Sequence, residues 1–511
     1  MSVAFIILPN QLFKNIYKNK AFNDSKFIYL IEHDFFFIKF KFHKMKLILH
    51  RASMKAYYDY LISISQNKNI IYIESHNAKS QFKNIFTKHN FIHIYDPIDY
   101  QIMNQFNKLT NINNINLIIH HNLLFIETNQ ELDEYYNNLK SHSHFIHDNG
   151  FYIWQRKRLN ILMKNDKPLF DQLSFDHDNR KNFDKSYIEP KQPSINNNNY
   201  VLQAKEYVEE NWSNNFGNID NFIFPITFNQ ANKLFNNFLK YKLFSFGDFE
   251  DASSSDIDFG SHSLLSSSIN IGIISISYII KKILTLFNSK SITIQHKIIN
   301  NVEAFIRQVI GWRSYIRFIY RYHGKNIYKE NHFKHYNKLD KTWYNGTTNI
   351  YPIDIIIKKV IKYAYAHHIE RLMFIGNFML LTKINPKEVY KWFMICFIDS
   401  YDWVMVPNVM AMSQYSSISI TMMTKPYFSS SNYIIKMSNY KLNSYDKIIL
   451  DNKEYYWNEI WNALYYNFIN NNKNEFKHIY SLARNVSHWN KKSKNEKNKL
   501  LNIAKLYLTN Y

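Results

Sequence analysis

The strongest constraint on the fold is a change of period near residue 200 of this 511-residue chain. Before it, the short apolar runs "VAFIILP", "FIYLIEH", "KLILH", "NIIYIES", "HIYDP" and "LLFIET" alternate with polar, helix-compatible stretches. Runs of that length suit strands buried on both faces, and crossover helices between them make such a sheet parallel. A doubly wound α/β domain over residues 1–185 is therefore expected. The polar stretch "SINNNNY" at 194–200 breaks the pattern as a linker. Beyond it, "VLQAKEYVEENW", "NQANKLFNNFLKYKLF" and "NVEAFIRQVIGWRSYIRFIYRY" place apolar residues three and four apart, the mark of helices. Residues 186–235 are expected to form a linker and connecting helix, and 236–511 an all-α domain.

The chain carries 63 Lys and Arg against 41 Asp and Glu, a formal net charge of +22. An excess that large suits a polyanionic partner, because Lys and Arg that neutralise phosphates release counterions; a solvated, lysine-biased surface explains the charge equally well. Cys396 is the only cysteine, so one chain cannot build a disulfide, a four-cysteine zinc site or an all-cysteine iron–sulfur site. That suits a reducing compartment. The opening "MSVAFIILPNQLF" lacks the basic and long apolar regions of a signal peptide, and no apolar run approaches the ~20 residues that span a bilayer. A soluble intracellular protein, in cytoplasm or nucleus, with no membrane partner, is expected.

The chemistry lies in segments of the second half. "SHSLLSSSINIGIIS" (261–275) opens with hydroxyls ahead of a glycine, and hydroxyls with free backbone N–H groups at a helix start suit a pyrophosphate. "VEAFIRQVIGWRSYIR" (302–317) carries a Trp–Arg pair. "AYAHHIERLMFIGNFMLL" (364–381), "FIDSYDWVMVPNVMAMSQYS" (397–416) and "TKPYFSSSNYIIKMSNY" (424–440) follow in that order. Together they resemble the photolyase/cryptochrome family, and most closely its prokaryotic iron–sulfur (6-4) photolyase-like branch. The looser N-terminal match of "ILPNQLF", "LIEHDFFF" and "FYIWQRKRLNILM" extends the resemblance over nearly the whole chain.

The resemblance implies an α/β antenna domain followed by a helical domain holding a U-shaped FAD. Ser263, Leu264 and Ser266 would hold the flavin phosphates ahead of Gly272. Trp312 would offer a stacking face and Arg313 a phosphate or flavin contact. An Arg371–Asp402 ion pair would support the flavin ring, and Asn408 would face its N5 position. Two adjacent histidines on a helix point about 100° apart, and by position His368 rather than His367 would pass a proton to the lesion. Tyr427 and Tyr433 would contact the lesion. Asn10, Gln11, Glu32 and His33 would hold a ribityl-lumazine antenna. The implied activity is light-driven repair, by a monomer, of (6-4) pyrimidine photoproducts in UV-damaged DNA without sequence preference. Cyclobutane dimer repair is an alternative, as is a cryptochrome-like light sensor that repairs nothing.

The chain departs from that branch in two respects. Its four cluster-cysteine positions are Pro352, Lys441, Ser444 and Glu459, so no iron–sulfur cluster is expected. Relatives reduce their flavin through aromatic residues; here Trp392, Tyr344 and Trp343 are the expected carriers, but Phe393 stands where a more easily oxidised Tyr is usual.

Overall fold

The computed structural model describes the chain apart from residues 1, 66, 140–147, 177–180, 195–197, 419, 421, 424, 441–446 and 510–511. Part of the expected linker, and two of the cluster positions, Lys441 and Ser444, lie outside the described residues. Five parallel strands form one sheet: β1 (Val3–Ile7), β2 (Phe27–Ile31), β3 (Asn69–Ile73), β4 (Phe91–Tyr95) and β5 (Asn116–His120), in the order β3-β2-β1-β4-β5. The chain reverses direction along the sheet between β1 and β4. In open parallel sheets the crevice beyond the strand ends at that switch is where ligands bind. Asn10, Gln11 and Asp99 follow β1 and β4 there and are fully buried.

Two of the expected strands are something else. "KLILH" lies inside the helix Lys44–Ile64, because the run continues at helical spacing through Met54, Tyr57 and Leu61, all buried. "LLFIET" is a loop: Leu124 and Phe125 are buried, but the segment pairs with no strand. The true fifth strand, "NLIIH", is a half-exposed sheet edge, so its apolar signal is short. The second half is helical as expected, with one two-stranded hairpin among the described residues, Ile448–Leu450 with Lys453–Tyr455.

The helical part packs directly on the sheet's strand ends. Leu12 N donates to Ile271 O (2.9 Å), and the buried carboxylate of Glu127 takes hydrogen bonds from Ser314 and Arg317. Gly272 makes the approach possible: at φ +90° a Cβ would lie 2.7 Å from the Phe13 ring and 3.2 Å from Leu12 N.

Among the described residues, three stretches wind as π-helix: Arg307–Trp312, Glu370–Gly376 and Val406–Ser413. Such turns redirect side chains and gather at functional sites. Each contributes residues to one cavity. Two of them touch at Gly376, where a Cβ would meet Ser413 Oγ at 2.1 Å and Arg371 O at 2.9 Å. Overpacking of this kind costs ~1–3 kcal/mol. Gly376→Ala is expected to lower the urea midpoint of unfolding accordingly, and an unchanged midpoint would show that the two turns have room to separate.

Candidate active site

The cavity holds about 650 Å³, within the range of pockets that enclose a small-molecule ligand. It is lined by Ser263, Leu264, Ser266, Trp312, Asn408 and Met412. His368, Arg371 and Asp399 line it as well. Apolar and charged side chains thus share one space.

Arg371 carries a positive charge in this lining. Its Nη1 and Nη2 donate to the two oxygens of Asp399 (2.8 and 3.1 Å), Nε donates to Ala366 O (2.7 Å), and the guanidinium lies 4.1 Å from the Phe397 ring centre. Asp399 also accepts from Ser266 Oγ (2.7 Å). Burial alone would raise the Asp399 carboxyl, but Arg371 and Ser266 outweigh it and hold it below the ordinary value. The partner of Arg371 is therefore Asp399 and not the expected Asp402. Asp402 opens the helix Asp402–Met405 and is fully buried. It accepts from Tyr320 (2.5 Å) and Tyr390 beside Asp99, whose carboxyl burial and Asp402 push well up.

Arg313 also departs from expectation. One residue along a helix turns the side chain by about 100°, so Trp312 lines the cavity while Arg313 stacks between Phe125 and Trp403 (4.8 Å each) and donates to Asn270. Trp312 Nε1 donates to Asn408 Oδ1 (3.0 Å), and Asn408 Nδ2 to Val404 O (2.8 Å), which fixes the amide orientation. Leu264 adopts φ +58°, and Ser263 Oγ accepts from Leu265 N (3.3 Å) at this bend.

The two adjacent histidines part company. His368 is exposed within the cavity, whereas His367 is buried. Protein packs closely around the His368 opening, and lost solvation, then Arg371 and His367, lower its pKa to about 4. His367 stacks on His262 (4.6 Å, 10° between planes) and sits 3.4 Å from Glu370. Glu370 is itself paired with Lys359 (2.7 Å). His262, one residue before Ser263, lines the cavity with its Nε2 unpartnered among the described residues. Nothing in the sequence singled it out; its place next to Ser263 was the available signal.

Tyr427 lines the cavity, and Tyr433 does not, being packed against the core on the helix Ser431–Lys436. Phe393 lines it too, with Trp392 behind (5.4 Å) donating to Trp343 O (3.0 Å); Tyr344 packs edge-on against Phe216. At the sheet's switch point Gln11 is bonded to Tyr95 O; beyond β2, Glu32 is bonded to Arg51, Tyr72 and Ser75 N, and His33 caps the helix Asp34–Phe37. Both amide atoms of buried Asn10 lack a partner among the described residues. Of the remaining cluster positions, Pro352 opens the helix Tyr351–Tyr363 and Glu459 accepts from Tyr456 N (2.9 Å).

This architecture is that of photolyases and cryptochromes: the crystal structure of a bacterial class III photolyase from Agrobacterium tumefaciens superposes with a TM-score of 0.55 at 11% identity, covering 83% of this chain and 82% of that one. Residues 5–224 match the family described as deoxyribodipyrimidine photo-lyase-related protein. A (6-4) photolyase of Agrobacterium fabrum is 33% identical over 360 residues, 70% of this chain and 69% of that protein. The chain belongs to the photolyase/cryptochrome family, in its photolyase-related branch. An uncharacterised protein of Acanthamoeba polyphaga mimivirus is 44% identical over 132 residues, 26% of this chain and 94% of that protein. Among the described residues, no helix is long and apolar enough to cross a membrane.

Proposed function

We propose that this photolyase-like protein repairs (6-4) pyrimidine photoproducts in UV-damaged DNA with light, using FAD held in the cavity. The observation that carries the reading is His368, a proton carrier open to the cavity and one turn from the Arg371–Asp399 pair. The fit to FAD rests on the volume, on a lining that joins apolar side chains to a charged pair, and on the Asn408 amide fixed by Trp312. Reduced FAD, when bound, supplies a photo-excited electron to the lesion and takes it back. Arg371 and Asp399 would hold the ring, Ser263 and Ser266 would border the phosphates, and neutral Asn408 would tolerate negative charge on the ring without repelling it. A flipped-out lesion enters the same cavity, since a base already unpaired by damage is cheaper to extrude. The net charge of +22 grips phosphates without reading sequence. His368 passes the proton that the transfer of a hydroxyl or amino group between the two bases requires.

The same reading puts no iron–sulfur cluster in the chain, since proline has no ligand atom, and places a ribityl-lumazine antenna against unpartnered Asn10 at the sheet's switch point. Absorption and metal content of the purified protein, followed by illuminated repair of oligonucleotides carrying each lesion, test it as a unit. The expected result is a flavin spectrum, no iron, and repair of the (6-4) lesion that weakens steeply with salt as phosphate contacts are lost. Flavin without repair of either lesion would make the chain a light sensor.

A further inference from the structure

Aromatic residues recur along one face of the helix Arg313–Ile327 and the π-turn before it, at positions 312, 315, 318 and 322. Their rings form a continuous path out of the cavity. Trp312, in the cavity wall, lies 5.8 Å from Tyr315, Tyr315 lies 6.4 Å from Phe318, and Phe318 lies 5.1 Å from Tyr322. Tyr322 then stacks on Tyr136 at 4.1 Å with 1° between the planes. Tyr315 and Phe318 are buried, whereas Tyr322 and Tyr136 are partly exposed. An aromatic stripe at helical spacing is ordinarily core packing. What core packing does not require is the outer end: the Tyr322 hydroxyl donates to the Asp133 carboxylate, which Arg321 also binds (3.0 Å). A phenol that loses an electron must lose its proton as well, and a carboxylate in hydrogen-bond contact is the group that takes it.

We infer that Trp312–Tyr315–Phe318–Tyr322 carries electrons from the surface to the flavin, in place of the route through Trp392. This rests on the proposed flavin in the cavity. The Trp392 route begins at Phe393, whose ring is harder to oxidise than indole or phenol, whereas the Trp312 path presents indole directly to the cavity. With oxidised flavin bound and photo-excited, Trp312 would give up one electron to it, and Tyr322 would refill Trp312 through Tyr315 with the Phe318 ring as bridge. The Tyr322 O–H bond breaks, its proton goes to Asp133, and a neutral phenoxyl radical remains. A dissolved thiol then returns one hydrogen atom to Tyr322 and becomes a thiyl radical, and Asp133 releases its proton to solvent.

The test is blue-light reduction of FAD-loaded protein in the presence of thiol, followed by flavin absorbance. EPR of the trapped radical, with ring-deuterated tyrosine, gives a second readout, and FAD occupancy is measured first. Tyr322→Phe keeps the ring and its packing; it is expected to slow reduction by an order of magnitude and to remove the phenoxyl signal. Asp133→Asn is expected to slow it while leaving occupancy unchanged, and Trp392→Phe to change little. Normal reduction in both Tyr322→Phe and Tyr315→Phe, or its loss in Trp392→Phe alone, overturns the path while the flavin reading stands. A protein that takes up no FAD overturns both.

Discussion

Asp399→Ala is expected to strip the cavity of its flavin and to destabilise the fold by ~3–5 kcal/mol, the usual cost of removing one partner of a buried ion pair. The Arg371 and Asp399 side chains are 15% and 8% exposed, so the orphaned guanidinium has little water to turn to. Ser266 Oγ loses its acceptor in the same change. The pH dependence follows from the direction of the shift. The Asp399 carboxyl is held below its ordinary value in the folded chain, so the pair's contribution is complete above the unfolded carboxylate pKa of ~3.9 and is lost as acid titrates the folded group. Urea unfolding at neutral pH and in acid, with and without FAD, reads both effects. Asp402→Asn is the control: it should loosen the contact with Tyr320 and Tyr390 and leave flavin occupancy near normal. Full occupancy in Asp399→Ala with loss in Asp402→Asn would return the ring-supporting role to Asp402.

Those two acids show where sequence stops being informative. Asp399 and Asp402 stand three apart in "FIDSYDW", both beside apolar neighbours, and only the start of the helix at Asp402 decides which one faces Arg371. The parallel sheet was legible because strands buried on both faces read as unbroken apolar runs, as β1 does with Ala4 to Ile7 all buried. The edge strand β5 was not, since Asn116, Ile118 and Ile119 are exposed and leave almost no pattern. The helical half was legible from its period, but the three π-turns were not. An extra residue in a turn is fixed by contacts such as that of Gly376 with Ser413, not by local preference. Those turns bring Trp312, Arg371 and Asn408 into the cavity, which Arg313 does not line, while His368 and His262 reach it from outside the turns.

His368→Ala is expected to keep flavin and DNA binding and to cut (6-4) repair by ~10²–10⁴-fold, the span attributed to a positioned proton donor or acceptor. Electron transfer alone splits a cyclobutane dimer, so any activity on that lesion should survive. In the free protein the imidazole is neutral near pH 7, because lost solvation, then Arg371 and His367, lower its pKa to about 4. Flavin phosphates and DNA bring negative charge, which favours the imidazolium and moves that pKa upward. If the imidazolium is the donor, its fraction falls as pH rises through the shifted pKa, and (6-4) repair should fall with it while cyclobutane repair stays level. His367→Ala should cost less, since His367 is buried against His262 and Glu370 and has no access to the lesion. Rates on the two lesions, measured across pH for both variants, separate the roles. A His368→Ala protein that repairs the (6-4) lesion at the parent rate would leave the photolyase fold and the family in place and remove the lesion assignment.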